Sequence, residues 1–447
     1  MIGTPAGMVH VTITAGGASA DVTVSADQLP LGTVLWSNPG DGSGVQDIVP
    51  AVPGPSGVAD VFAFQGGWTQ HFCYSTCSVS AITSDGLTAW TADVSQALQA
   101  VPDFQSGLIL QNGGSIVRLD GMTGHPYPAY SDPYSELQLV HPDGTVFAWQ
   151  SLYNQDGSYM GASVIGIDPT TGTAKFSVPV DDPTPPRFSP GYSPEPGYDF
   201  TGVYVGSAEY PSSIIGGDGY AYFAYSTPQF DTSFPNNYFL PVVHLTLLRV
   251  DTSGNYTKIP VRDFTPASPA AYYGSFNVDG MISNADTGVV LSWTEFETDD
   301  GGGAGPSAPF GMAITTGTSV ASVNVPVVTG QATSVFPELQ GQDGSFYGRV
   351  GMGTDTYDVS GYNMVAFDQT GAVRWVVPND GPAIATADGG LIGGSGVTYD
   401  QNGNATGQQA RINSKQTPGW LGNILGYTYL DPPDSVSALV SSTTNLV

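Results

Sequence analysis

Lysine is nearly missing from this chain: Lys175, Lys258 and Lys415 are the only three among 447 residues. Lysine and arginine together number 10 against 39 aspartates and glutamates, a formal net charge of −29. Such a field repels a phosphate backbone and an anionic membrane surface, which argues against nucleic acid and acidic lipid as partners. Charged residues of either sign are only 11% of the chain, less than half the usual share. No apolar run approaches the roughly 18 residues of a membrane-spanning helix, so membrane insertion is not expected. Long helices are also disfavoured, because 59 glycines and 35 prolines together exceed a fifth of the sequence. Hydrophobic residues nevertheless reach 40% and aromatics 11%, too many for a disordered chain.

The N-terminus shows no basic start followed by an apolar core, hence no visible signal peptide. The scarcity of lysine and the abundance of Ser, Thr, Gly and Asn still point to an extracellular or cell-surface protein. Cys73 and Cys77, in CYSTC, suit a disulfide pinching a loop tip in an oxidising compartment, with two free thiols as the alternative. A zinc site needs more ligands than this pair and His71 supply.

Residues 9–14 and 20–25 alternate with period two around Gly16-Gly17 and read as a hairpin. This hairpin resembles the last two strands of a bacterial immunoglobulin-like module, so residues 1–30 are set apart as a partial module or linker. Beyond it runs a degenerate repeat: strand, D-G turn, strand, variable loop, strand ending in Asp, T-G turn, and a strand with an aromatic. LVHPDGTVFAW with SVIGIDPTTGTAKFSV (139–149, 163–178) and LQGQDGSFYGRV with NMVAFDQTGAVRWVV (339–350, 363–377) are good copies. About seven copies of four short strands predict an all-β chain, a seven-bladed β-propeller over residues 31–412. A pair of β-sandwiches would explain the strands but not the repeated aspartate turns.

The Asp-x-x-T-G turn before a strand ending in Trp resembles quinoprotein-like, PQQ-repeat-like, propeller repeats, with Trp90, Trp375 and Phe176 in the aromatic place. The resemblance covers roughly residues 33–410 and implies the fold rather than a reaction. Quinone-dependent dehydrogenases of that family carry a vicinal cysteine pair, which this sequence lacks, so no cofactor is required. The last copy, near 384–404, reads as short of its outer strand. Residues 33–37, TVLWS, are expected to complete it by pairing near 397–408, leaving 413–447 as a C-terminal extension.

The D-G and T-G turns are short and share one face of such a fold. The opposite, top face carries long stretches such as 66–77, 226–239, 262–275 and 295–310, the kind that is usually functional or disordered. These stretches hold Trp68, Tyr153, Tyr238 and Tyr272, flat faces suited to sugar rings, or to packing against one another. The only glutamates are Glu136, Glu195, Glu209, Glu295, Glu297 and Glu338, all mapped to top loops or the top of an inner strand. Glycoside hydrolysis needs two carboxyl groups roughly 5 to 9.5 Å apart, one protonated and one ionised. Glu295, Glu297 and Glu209 are the catalytic candidates, with Glu295 as the acid because it follows the apolar run VVLSW. Trp68, Tyr153, Tyr238, Tyr272, Glu136 and Glu338 are the ligand-binding candidates. Asp299 and Asp300, like Asp355 and Asp358, are carboxylates that calcium could use, without a full calcium-loop spacing. His244, in VVHLTLL, reads as a core-edge residue rather than a base. The expected function is binding of a polysaccharide or oligosaccharide by a secreted monomer, with glycoside hydrolysis by a carboxylate pair. The alternative is a non-catalytic adhesion module of a larger cell-surface protein.

Overall fold

A computed structural model describes residues 7–15, 18–26, 34–40, 44–52, 54–69, 72–95, 97–153, 155, 159–180, 203–205, 211–231, 242–265, 273–285, 287–298, 309–325, 331–341, 343–353, 359–386, 389–409, 416–418, 423–427 and 436–440. All regular structure among them is β, and no helix there is long and apolar enough to cross a membrane. Strands β1 (Gly7–Ala15) and β2 (Ala18–Ala26) form a two-stranded sheet, and β3 is Val34–Asn38. Four-stranded antiparallel meanders then follow one another. The first is β4 (Val45–Pro50), β5 (Val61–Thr69), β6 (Phe72–Ile82) and β7 (Thr88–Asp93); the second is β8 (Ala97–Pro102), β9 (Leu108–Asn112), β10 (Ser115–Leu119) and β11 (Tyr130–Ser131). The third is β12 (Ser135–Val140), β13 (Val146–Tyr153), β14 (Tyr159–Asp168) and β15 (Thr173–Pro179).

A five-stranded sheet comes next: β16 (Val203–Val205) and β17 (Ser212–Ile215) both pair β18 (Ala221–Asp231), which leads to β19 (Val242–Val250) and β20 (Tyr256–Phe264). The meanders resume with β21 (Tyr273–Asn284), β22 (Gly288–Thr298), β23 (Phe310–Thr316) and β24 (Ser319–Ser322). Next are β25 (Gln331–Gln340), β26 (Phe346–Gly353), β27 (Val359–Phe367) and β28 (Val373–Pro378), then β29 (Pro382–Ala385), β30 (Leu391–Gly393), β31 (Val397–Tyr399) and β32 (Ala405–Gln409). The last sheet combines β33 (Gln416–Pro418), β34 (Asn423–Tyr427) and β35 (Val436–Val440) with β3.

Among the described residues there are thus seven four-stranded antiparallel sheets, and the five-stranded sheet repeats the same meander with β16 added beside β17. The 384–404 copy needs no outside strand, since β32 is its own fourth. β3 pairs instead with β35, Trp36 opposite Ala438 and Asn38 opposite Val436, so β33, β34 and β35 belong to a sheet rather than to an extension. Residues 416–440 contain neither a D-G nor a D-x-x-T-G sequence, which left them without a repeat signature.

The chain divides into two compact units, one of Met1–Leu108, Leu119–Pro126 and Ala383–Val447, the other of Ile109–Arg118 and Tyr127–Pro382. Within the second unit the core lies between successive sheets. Phe147, Trp149 and Val164 of the third meander pack on Phe223, Tyr225 and Leu248, and Tyr222, Leu247 and Ile259 pack on Val289, Leu291 and Trp293. Because each four-stranded sheet buries both faces, its middle strands read as continuous apolar runs such as Val289–Leu291.

The repeated turns lock one sheet to the next. Trp90 of β7 lies against Gly124 of the following repeat, where an added Cβ would meet its ring at 2.6 Å, and its Nε1 donates to the Gly121 carbonyl at 3.0 Å. Phe176 of β15 covers Gly254 in the same way at 2.8 Å, and Trp36 of β3 covers Gly86 at 2.9 Å. The turn aspartates fold their own loops. Asp251 Oδ1 accepts from Ser253 N and Asn255 N at 2.8 and 2.9 Å, and Asp400 Oδ1 from Asn402 N and Asn404 N at the same distances. These carboxylates are therefore turn formers, their lone pairs already spent on backbone.

That bonding has a pH consequence. Asp168 is held below the usual carboxylate range by the Thr170 N–H, Asp368 by the Thr370 hydroxyl and Asp400 by the Asn404 N–H. A depressed folded pKa contributes stability above the unfolded value, and that contribution is lost as pH falls through the folded one. The turns should therefore hold from neutral pH down to about 4 and weaken below it. Thermal melts of the wild type and Asp368→Asn between pH 6 and 2 check this: the wild type should lose more of its melting temperature on acidification. Parallel curves would remove the turns from the account.

Candidate functional site

The first strands of the meanders carry an irregularity that recurs. The pairing register slips at Gln46 in β4, Gln138 in β12, Asp279 in β21 and Glu338 in β25, each a polar residue in a one-residue bulge. A bulge leaves its extra residue out of the ladder and re-aims its side chain. In the second unit two of these bulges meet. A Cβ on Gly280, next to Asp279, would lie 2.9 Å from the carbonyl oxygen of Pro337, next to Glu338. Only glycine permits β21 and β25 to come this close, so two acidic bulges flank one backbone contact.

Their environments differ. Asp279 is largely buried, and burial pushes its carboxyl up to about 6; Thr294 Oγ1 donates to its Oδ2 at 2.5 Å and pulls weakly the other way. Glu338 is also raised by burial, opposed by Arg349, whose Nε and Nη2 reach its Oε1 at 2.7 and 2.5 Å. Glu338 Oε2 is buried without a partner. The Arg349 guanidinium lies 5.0 Å from the ring centre of Tyr362 and 5.6 Å from that of Phe336. Glu295, one residue beyond Thr294, is only 7% exposed and its Oε1 accepts from Arg262 Nε at 3.0 Å. Phe276 stands opposite it in register and packs edge-on against Phe264.

The sequence candidates scatter. Asp279 of β21 accepts from Thr294 of β22, whereas Glu295, the next residue of β22, lies on the opposite face of that sheet and meets Arg262 of β20. Glu338 sits near the short-turn end of β25, close to the 341–345 turn, rather than at its long-loop end. Glu136 is half-buried opposite Trp149, and Tyr153 is half-buried against Tyr134 at 5.0 Å between ring centres. Trp68 and Glu297 have described backbones, opposite Cys73 and Gly274, but their side chains lie outside the described residues, as do Glu209, Tyr238, Tyr272, Asp299 and Asp300 altogether. Cys73 and Cys77 are bonded to each other, with Cα atoms 6.0 Å apart, too close for an extended strand, so residues 74–76 bulge out of β6. His244 is half-exposed and pairs with Asp263 at 2.8 Å. No group of three or more His, Cys, Asp or Glu among the described residues could hold a metal. Asp279 escaped sequence reading because Asp279-Gly280 looks like one more D-G turn. Its position inside an unbroken apolar–polar strand pattern was the available signal.

The up-and-down four-stranded sheet, repeated along the chain, places the protein among the β-propellers. No protein-family model and no curated protein matches the sequence. Solved structures similar to it include the Dos1 propeller, at TM-score 0.43 and 12% identity over 93% of this chain and 98% of that one. The WD40 domain of SCAP from fission yeast aligns at TM-score 0.27 and 9% identity over 91% and 97%. An α-L-arabinanase from Penicillium chrysogenum, complexed with arabinobiose, aligns at TM-score 0.31 and 10% identity over 69% and 94%. Likeness at this level transfers no function.

Proposed function

We propose that this protein is a secreted, carbohydrate-binding β-propeller that cleaves a glycosidic bond with a carboxyl pair whose acid is Asp279 of β21. The carrying observation is Asp279, a largely buried carboxyl pushed up to about 6 and hydrogen-bonded to Thr294 in a bulge that adjoins the bulge of Glu338. A general acid must keep its proton near the working pH, and desolvation is how a protein arranges this. Glycoside hydrolysis pairs such an acid with an ionised carboxylate, and Glu338, in the β25 bulge that adjoins that of Asp279 and bonded by Arg349, offers that partner. The bonded Cys73–Cys77 pair fits an exported protein.

A panel of neutral and acidic polysaccharides, scored for binding and for released reducing ends, tests this reading. Binding with hydrolysis of at least one glycan at pH 5 to 6 is expected, fading above that range as Asp279 loses its proton. Glycan binding without hydrolysis would leave a lectin-like module. No binding to any glycan would overturn the proposal and return the non-catalytic adhesion module.

A further inference from the structure

Cations are scarce enough here for each to be examined. Arg249 is largely buried and spends Nε and Nη2 on Asp218 at 3.0 and 2.9 Å. Arg349 likewise directs two nitrogens at Glu338. Arg262 is different. Only its Nε is engaged, by Glu295 at 3.0 Å, and its side chain is 52% exposed against 8% for Glu295. Among the described residues neither terminal nitrogen of Arg262 has a partner. Arg262 lies near the end of β20 remote from the Asp251 turn, and Glu295 near the end of β22 remote from the Asn284–Thr287 turn. Both thus sit at the ends that lead into long connections.

We propose that Glu295 is a positioning residue that fixes Arg262 to recognise a carboxylate on the glycan, so that the ligand carries a uronic acid; this rests on the glycan reading above. With Nε held, the guanidinium plane is set, and its two terminal nitrogens present parallel N–H donors to the exposed side. That geometry matches a planar carboxylate bidentately, which a lysine ammonium cannot do. Phe276 and the Phe264 ring packed on it line the strands beside Glu295 and keep water from competing for the anchor. Burying a carboxylate is costly, and a glutamate that served only as a surface ion-pair partner would gain little from it. A buried anion that holds an exposed cation in one orientation gains specificity for what that cation meets. The net charge of −29 also selects the ligand class. It repels dense polyanions such as sulfated polymers, while one carboxylate held by a local bidentate contact is tolerated.

The test compares one oligosaccharide series in three forms: uronate-bearing, carboxyl-reduced and sulfated. The full-length protein should bind the uronate form about tenfold or more tightly than the reduced form, as a charge-assisted bidentate contact allows. Arg262→Gln should erase that preference while leaving affinity for the reduced form intact, and Arg262→Lys should restore only part of it. Glu295→Gln should narrow the preference in the same direction. Should that buried substitution unfold the protein, the exposed Arg262 variants decide alone. Equal binding of uronate and reduced forms by the wild type overturns this inference and leaves the glycan reading standing. A preference that survives Arg262→Gln, or stronger binding of the sulfated form, does the same. Failure of all three forms overturns both.

Discussion

Asp279→Asn should abolish most hydrolysis, by about a hundredfold or more in turnover, while changing glycan affinity only a few-fold. Asparagine keeps the size and the hydrogen bond from Thr294 but carries no transferable proton. The same substitution makes a second, opposite expectation. The folded pKa of Asp279 is pushed up to about 6 from an ordinary 3.8, so folding favours the protonated form. The penalty for ionising it is absent below about pH 4, grows as pH rises, and is complete above about 6, where it is on the order of 3 kcal/mol. Asparagine removes that penalty. The variant should therefore be more stable than wild type at pH 8 and no more stable at pH 4. Loss of function joined to a pH-dependent gain in stability is the signature of a group kept strained for chemistry. A non-catalytic aspartate in the same place would show the gain without the turnover loss. Unchanged turnover in the folded variant removes Asp279 from the mechanism.

What the sequence made legible was local. D-x-x-G turns need nothing beyond their own five residues, as Asp251 and Asp400 show by accepting from their own following N–H groups. Counting such turns was enough to reach an all-β chain of four-stranded sheets. Pairings between distant segments left no such mark. Nothing in 436–440 announces that it joins 34–38, because short apolar strands carry no partner label. The site shows the same division. Glu295 was visible as an acid after an apolar strand, but its partner Arg262 is 33 residues away and the pairing exists only once β20 meets β22. Asp279 was hidden by resembling a turn, and its raised pKa comes from burial that only the packed sheets create.

The aromatic that ends the repeat was legible as a position, but its partner, the glycine of the next repeat, was not, and this pairing yields the second large effect. Gly254 and Gly317 each close a T-S-G or T-T-G sequence between the third and fourth strands of a meander, with φ of +86° and +64°. Both would strain an alanine, at about 1–2 kcal/mol for a left-handed residue. They differ in what a Cβ would meet. At Gly254 it would lie 2.8 Å from Phe176 Cγ and 2.9 Å from its Cβ; at Gly317 nothing stands within 4 Å. The Phe176 ring has little room to retreat, because it already fills the space that a side chain on Gly166 would take and packs against Phe147 at 5.8 Å between centres. Overpacking a closed contact of this kind typically adds 1–3 kcal/mol. Gly254→Ala should therefore cost about 2–5 kcal/mol and Gly317→Ala about 1–2, read as midpoints of urea unfolding. Phe176→Ala alone should be costly, at about 3–5 kcal/mol, but should make the added Gly254→Ala nearly as mild as Gly317→Ala. Equal losses for the two glycine variants would mean that the repeat aromatics merely lie over the turns, and that sheet-to-sheet cohesion comes from the apolar cores around Phe147 and Tyr222 instead.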